Sequence, residues 1–129
     1  MDINERKEYA ASLKLSGKCN CCQAVLVALK DECNLDEETL KNIGAGFCAG
    51  MGNMSATCGS LIGAGIMAGL KTEGEGTLKK SRLINEEFEK TCGALKCKDL
   101  KTITNGKPLC ACDDCVRNAV VAYYIIMNN

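Results

Sequence analysis

The stretch of sequence that decides the fold reads Cys58-Gly59-Ser60-Leu61-Ile62-Gly63-Ala64-Gly65-Ile66-Met67-Ala68-Gly69-Leu70. It carries no charge and is apolar nearly all round, which is typical of a helix buried at the centre of a domain. It is also shorter than the roughly 20 residues that a membrane-spanning helix needs. Its glycines recur four residues apart, and each lowers helix stability by about 1 kcal/mol relative to alanine. The stretch therefore predicts a central helix over 58–71 whose glycines face neighbouring helices. Tight packing or a ligand is expected to compensate for the helix stability that the glycines remove.

Outside this stretch, apolar residues recur with helical spacing almost throughout the chain. Further helices are predicted at 4–16, 21–32, from 37 onwards, 78–92, 97–101 and 111–127. Asn20 and Asp36 precede two of these segments and are typical N-caps, and Gly93 follows another where glycine commonly ends a helix. For the central helix we expect Ser55 or Thr57 as the cap. The pattern predicts one all-α domain over 1–129, a compact bundle of five to seven helices around the central glycine-rich apolar helix.

The composition is dominated by sulfur, with eleven cysteines among 129 residues and no histidine. The lack of histidine excludes imidazole acid–base catalysis and the cysteine–histidine nucleophile pair. Sixteen acidic residues balance sixteen basic ones, so nothing marks a surface for nucleic acid or anionic lipid. Residues 1–8 are charged and lack the apolar segment of a signal peptide, so we expect a cytoplasmic protein. Cytoplasmic thiols are kept reduced, which favours metal binding or redox chemistry over structural disulfides.

Four cysteines stand at or near the predicted start of a helix: Cys21, Cys58, Cys97 and Cys112. The free N–H groups and the dipole of a helix N-terminus stabilise a thiolate, so we expect a lowered pKa at these positions. Thiolate is the form that binds metals and attacks disulfides. We predict that the four sulfurs converge in one pocket at the helix starts.

Other cysteines have a plainer interpretation, because free cysteine is often buried as a small apolar residue. We prefer that interpretation for Cys33 and Cys48. For Cys92 the interpretation as a small apolar residue and a chemical role are equally favoured.

Two C-x-x-C pairs, Cys19/Cys22 and Cys112/Cys115, could together form a tetrahedral zinc site. Zinc ribbons place such pairs on turns between strands, whereas both pairs here enter predicted helices. A thioredoxin-type site is less favoured, since it expects a βαβ context. The closely spaced cysteines of bacterial ferredoxins are absent, so an iron–sulfur site would need ligands from distant segments.

Several segments together resemble a known family. They read Asn20-Cys21-Cys22-Gln23-Ala24-Val25, Gly46-Phe47-Cys48-Ala49-Gly50-Met51-Gly52, Cys58-Gly59-Ser60-Leu61-Ile62-Gly63-Ala64, Cys97-Lys98-Asp99-Leu100 and Cys112-Asp113-Asp114-Cys115-Val116. Over roughly residues 9–126 the chain resembles the C_GCAxxG_C_C proteins, a family inferred to be redox-active. The resemblance implies that the family's four cysteines correspond to Cys21, Cys58, Cys97 and Cys112. It also implies an iron–sulfur centre, because related modules joined to haem electron-transfer proteins are associated with one.

The chain departs from the family pattern at three of these positions. Ser60 and Cys22 stand in place of alanine, and Cys48 stands in place of glycine. Five cysteines are additional to the pattern: Cys19, Cys33, Cys92, Cys110 and Cys115. Cys22 or Cys115 could therefore replace one of the four family cysteines, or a second cluster could be present.

We expect a redox protein that holds an iron–sulfur cluster with Cys21, Cys58, Cys97 and Cys112 and passes electrons to a partner protein. A metal-free dithiol/disulfide oxidoreductase is the first alternative, with Cys58 as the attacking and Cys21 as the resolving cysteine. A zinc-stabilised structural or interaction module is the second alternative. We expect neither a nucleic-acid partner nor a membrane span, and a homodimer is a candidate assembly.

Overall fold

Seven α-helices make up most of the part of the chain that the computed structural model describes, residues 1–128. They are α1 (Ile3–Leu15), α2 (Cys21–Ala28), α3 (Glu37–Gly44), α4 (Gly59–Thr72), α5 (Thr77–Cys92), α6 (Cys97–Leu100) and α7 (Cys112–Met127). A short 3₁₀ turn (Lys30–Glu32) follows α2, and an irregular turn (Gly50–Met54) precedes α4. The all-α class is thus confirmed. Within the described residues, no helix is both long enough and apolar enough to cross a membrane.

The glycine-rich helix α4 lies at the centre of the bundle and packs against α2, α5 and α7. Its residues Leu61, Ala64, Met67 and Ala68 are buried in the core. Helix α1 packs on α7 and α2 from the outside. The prediction of a buried central helix is confirmed.

The glycines of α4 face neighbouring helices, also as predicted. A Cβ atom on Gly63 would lie 3.0 Å from the carbonyl oxygen of Cys22, so α2 approaches α4 closely there. Cβ atoms on Gly65 and Gly69 would lie 3.7 and 3.8 Å from side chains of α5. The close contact is therefore with α2, whereas the α5 face has ordinary van der Waals spacing.

The predicted caps of α2 and α3 are present. The Asn20 side chain accepts a hydrogen bond from the backbone N–H of Gln23 at 2.8 Å, and the Gln23 side-chain oxygen accepts one from the backbone N–H of Asn20 at 2.9 Å. Asp36 accepts a hydrogen bond from the backbone N–H of Thr39 at 2.8 Å. These bonds satisfy N–H groups that a helix start leaves without partners, which fixes both helix starts.

The cap expected for α4 was wrong, because neither Ser55 nor Thr57 occupies the N-cap position. Ser55 forms a hydrogen bond with the Asn53 side chain at 2.6 Å, and Thr57 pairs with Lys96 in an isolated β-bridge. Cys58 is the N-cap residue instead, and its side chain forms no capping hydrogen bond. Its sulfur lies near the N–H groups of Ser60 and Leu61 without a well-aligned capping bond.

Helix α2 ends four residues before the predicted boundary at residue 32. The buried side chain of Arg6 donates a hydrogen bond to the carbonyl oxygen of Ala28 at 2.7 Å and forms an ion pair with Asp31. Arg6 thus provides the donor that a backbone N–H of the next helical turn would otherwise give to the Ala28 carbonyl. The α-helix ends there, and the chain continues as the 3₁₀ segment.

A small hairpin, which helical spacing did not predict, lies between α6 and α7. Its strands β1 (Ile103–Thr104) and β2 (Lys107–Pro108) pair antiparallel. Asn105 and Gly106 form the two-residue connection, with φ angles of 55° and 79°. An Asn-Gly pair is the usual choice for such a turn, since both residues must adopt left-handed backbone angles.

Candidate functional site

The four cysteines at the helix starts line one pocket, which has a volume of about 300 Å³. Cys21 is the first residue of α2, and Cys58 is the N-cap of α4. Cys97 and Cys112 are the first residues of α6 and α7. Each predicted site residue is therefore at a helix start, and all four open into the same cavity.

Two more cysteines, Cys48 and Cys115, and two lysines, Lys14 and Lys101, also line the pocket. Cys48 packs against the core, as its interpretation as a small apolar residue predicts, but it is part of the pocket wall as well. The wall thus combines six cysteine sulfurs with two cationic side chains.

Backbone pairing joins the two segments that carry Cys58 and Cys97. The N–H of Cys58 donates a hydrogen bond to the carbonyl oxygen of Leu95 at 2.8 Å, and the N–H of Cys97 donates one to the carbonyl oxygen of Ala56 at 3.0 Å. The two segments form an antiparallel bridge at this point. This contact links two stretches of sequence that lie far apart in the chain.

The glycine-rich turn after α3 forms another wall of the pocket. Ala49 and Met51 have left-handed φ angles of 50° and 64°, which are uncommon for residues with side chains. Gly50, between them, passes so close to α6 that a Cβ atom there would lie 2.8 Å from the Cβ of Cys97. Glycine at position 50 therefore allows the turn to close over Cys97.

The missing side chain of Gly59 makes room for the sulfur of Cys21. A Cβ atom on Gly59 would lie 2.6 Å from Cys21 Sγ and 2.2 Å from the carbonyl oxygen of Phe47. Both distances are shorter than van der Waals contact. The position next to Cys58 must therefore be glycine if Cys21 is to share the pocket with Cys58.

The pKa of Cys58 is lowered to about 6. The main cause is a hydrogen bond from the Cys115 thiol; burial opposes it, and the hydroxyl and backbone N–H of Ser60 and the N–H of Leu61 lower the pKa further. The Ser60 hydroxyl is fully buried and has no well-aligned hydrogen bond within residues 1–128, although it lies near enough to stabilise the Cys58 thiolate. The pKa of Cys58 is thus lowered, the direction that its helix-start position predicts, although the Cys115 thiol is the largest cause.

The same prediction was wrong for Cys21 and Cys97, whose pKa values are raised. Burial is the largest cause at both positions, and the negative charge of Cys58 adds to it. Removing a thiolate from water opposes ionisation, and a nearby thiolate repels a second one. A helix start alone therefore does not decide which thiol is ionised.

Replacement of Ser60 by alanine is expected to raise the pKa of Cys58 above about 6. A thiol is charged when deprotonated, so the reduced, metal-free wild type should form one thiolate as the pH rises through about 6. Ser60→Ala should form that thiolate at higher pH, because it lacks the hydroxyl. Ultraviolet absorbance of the thiolate measures the midpoint, and Cys58→Ser should lack this step. Equal midpoints for the wild type and Ser60→Ala, or ionisation of the wild type only near the ordinary value of 9.0, contradict the prediction.

A second group of sulfurs lies beside the pocket and consists of Cys92, Cys110 and Cys115. All three are buried, and their Sγ atoms lie within 4.8 Å of one another. Cys92 ends α5, Cys115 lies in the first turns of α7, and Cys110 lies in the segment between the hairpin and α7. We call these three residues the cysteine triad. It could bind a metal ion, and Cys115 places it in contact with the pocket.

The triad holds its thiols in the protonated form in the metal-free protein. Hydrogen bonding with Cys110 lowers the pKa of Cys92, but hydrogen bonding with Cys115 and burial together outweigh this effect and raise the pKa to about 11. The pKa of Cys110 is raised to about 12, where hydrogen bonding with Cys115 lowers it but contact with Cys92 and burial outweigh that effect. Three thiols of this kind lose their protons to solvent only when a strongly bound cation displaces them.

The two C-x-x-C pairs do not form a single-ion site. Within residues 1–128, the group of three cysteine, aspartate or glutamate ligands that fits inside 4.8 Å is the triad, and it takes only Cys115 from these pairs. Cys19 and Cys22 are buried in the core and do not line the pocket. The four-cysteine zinc site considered from the sequence is thus not assembled.

A family model described as "Putative redox-active protein (C_GCAxxG_C_C)" matches residues 19–125. The chain belongs to this family. Comparison with curated proteins gives no match, and comparison with solved structures gives none either. The C_GCAxxG_C_C match agrees with the resemblance seen in the sequence and spans the whole pocket wall except Lys14.

All three members of the triad, Cys92, Cys110 and Cys115, are additional to the C_GCAxxG_C_C pattern. The sequence offered little to identify the group, because Cys92 lies far from the other two along the chain. Only the short spacing of Cys110 and Cys115 along the chain could have indicated that two of its members lie close together. Packing of α5 against α7 brings the third sulfur to them.

Proposed function

We propose that this C_GCAxxG_C_C protein holds an iron–sulfur cluster in its pocket and passes electrons to a partner protein. Cys21, Cys58, Cys97 and Cys112 are the proposed ligands. The observation that carries the proposal is that four thiols, each from a different helix start, line one cavity of about 300 Å³. Iron–sulfur clusters are bound by four cysteine thiolates and supply one-electron transfer when bound.

The spacing of the pocket sulfurs supports a cofactor larger than one ion. Zinc–sulfur bonds of about 2.3 Å would hold four thiolates roughly 4 Å apart. Within residues 1–128, the three-ligand group inside 4.8 Å contains none of the four proposed ligands. A cluster of several irons is wider than a single ion. It therefore suits thiols that line one cavity but do not form a group of three within 4.8 Å.

The polar groups of the pocket suit the same cofactor. The buried Ser60 hydroxyl and the backbone N–H groups of Ser60 and Leu61 lie near Cys58. Hydrogen bonds from such groups to cluster sulfurs raise the reduction potential. Lys14 and Lys101 provide positive charge that offsets thiolate charge. Gly59 leaves the space that a side chain would fill.

Protein purified without oxygen, or reconstituted with iron and sulfide, is expected to be brown and to contain iron and acid-labile sulfide. A chemical reductant should decrease its visible absorbance, because iron–sulfur charge-transfer bands weaken on reduction. The measurements are visible absorption together with iron and sulfide analysis. A colourless protein that takes up neither element after reconstitution contradicts the proposal.

A metal-free dithiol/disulfide oxidoreductase is the second candidate, and the lowered pKa of Cys58 favours it. The Cys58 thiolate would attack a substrate disulfide, form a mixed disulfide and release one substrate thiol. Cys21 would then attack the Cys58 sulfur, release the second substrate thiol and leave a Cys21–Cys58 disulfide. The substrate is reduced by two electrons and the cysteine pair is oxidised by two.

A zinc-stabilised structural or interaction module is the third candidate, and the cysteine triad favours it. Metal analysis separates the three. Iron with sulfide supports electron transfer, zinc alone supports the structural module, and catalytic disulfide reduction without any metal supports the oxidoreductase.

A further inference from the structure

The cysteine triad differs from the pocket in size and surroundings. Its members are 3% (Cys92), 8% (Cys110) and 1% (Cys115) exposed, and their sulfurs lie within 4.8 Å of one another. Thiolates around one zinc ion are separated by roughly 4 Å, as follows from a bond length of about 2.3 Å. The triad therefore has the dimensions of a site for one ion, with little movement needed.

Hydrogen-bond donors contact the triad from two sides. Asn118 Nδ2 donates to Cys92 Sγ at 3.3 Å, and Lys101 Nζ lies 3.5 Å from Cys115 Sγ. Lys101 Nζ also donates to the carbonyl oxygen of Cys110 at 3.0 Å. Donors to ligand sulfurs orient metal ligands and stabilise their charged form, and they form the usual outer shell of a metal site.

The charges select the kind of ion. Three thiolates carry three negative charges, and the half-buried ammonium group of Lys101 contributes one positive charge. A divalent cation brings the buried group to neutrality, whereas a monovalent one leaves a net negative charge away from water, which is unfavourable. Thiolate ligands prefer soft or borderline metals such as zinc.

We propose that Cys92, Cys110 and Cys115 form a second metal site that binds one soft divalent ion, Zn²⁺, beside the pocket, with Cys115 shared between the site and the pocket wall. Three protein ligands leave the fourth position of the tetrahedral ion to water or to another thiol. This inference does not rest on the proposed function, because none of the four proposed cluster ligands belongs to the triad.

The test uses the reduced, metal-free full chain, titrated with Zn²⁺ and with Co²⁺ as a coloured substitute. Cys97→Ser, a change in the pocket, should still bind one ion with cobalt–thiolate absorption. Cys110→Ser, a change outside the pocket, should bind one ion fewer than the control Cys33→Ser. Native mass spectrometry counts the ions, and the cobalt spectrum reports thiolate ligation. Equal numbers of ions in Cys110→Ser and Cys33→Ser overturn the site, and binding of Cu⁺ without Zn²⁺ or Co²⁺ overturns the choice of ion.

A second variant keeps the proposal testable even if Cys110→Ser does not fold. Asn118→Ala retains all the cysteines and removes only the donor to Cys92. Loss of an outer-shell hydrogen bond is expected to weaken Zn²⁺ binding about tenfold or more. The exposed Asn34→Ala is the matched control and should bind with wild-type affinity. Equal affinities for the two asparagine variants contradict the proposed site.

Discussion

Cys58→Ser is expected to abolish cofactor binding and redox activity, whereas Cys33→Ser is expected to leave both unchanged. Cys58 is 4% exposed, lines the pocket and has a pKa lowered to about 6 by the Cys115 thiol and the groups at the start of α4. Serine keeps the size of the side chain but does not ionise in this range, so the pocket loses its thiolate. Cys33 only packs against the core and forms a weak contact with the carbonyl oxygen of Lys30.

The comparison distinguishes a chemical role from simple packing. If both cysteines only filled space, both variants would show a modest loss of stability and an unchanged cofactor. Visible absorption of the proteins reconstituted without oxygen, together with titration of reactive thiols, decides between these results. Equal iron contents at the two positions would show that Cys58 is not a ligand.

The helix starts could be predicted from the sequence because their signals are local. Asn20 and Asp36 accept hydrogen bonds from backbone N–H groups three residues ahead, a contact that needs no other part of the chain. The periodicity of apolar residues likewise identified α4 as the central helix. The same local signals predicted that Cys21, Cys58, Cys97 and Cys112 lie at helix starts, which is where the structure has them.

The remaining features depend on contacts between distant segments. The early end of α2 follows from Arg6, which comes from another helix to bind the Ala28 carbonyl. The raised pKa values of Cys21 and Cys97 follow from burial and from the charge of Cys58. Neither burial nor neighbouring charge is visible in a window of sequence around a cysteine. The triad was missed for the same reason, because α5 supplies one of its sulfurs.

Gly59→Ala is expected to lower the free energy of unfolding by about 3 kcal/mol and to disrupt the pocket, since overpacking a filled site has effects of this size. The added methyl group would lie 2.2 Å from the carbonyl oxygen of Phe47 and 2.6 Å from Cys21 Sγ. The first neighbour is backbone, so it cannot move aside by a simple side-chain rotation. Relief of the Phe47 contact requires α4 to move away from the glycine-rich turn, and relief of the Cys21 contact requires that sulfur to leave its place in the pocket.

Gly65→Ala is the matched control in the same helix. Its methyl group would lie 3.7 Å from Ser81 Oγ, which is ordinary contact, so the higher helix propensity of alanine should raise stability by up to about 1 kcal/mol. Denaturant unfolding of the reduced, metal-free proteins measures both changes, and iron uptake after reconstitution measures the pocket. The two substitutions are identical in chemistry and differ in the space available to the methyl group. Equal unfolding midpoints and equal iron uptake would therefore show that Gly59 is not required for the close approach of Cys21 to Cys58.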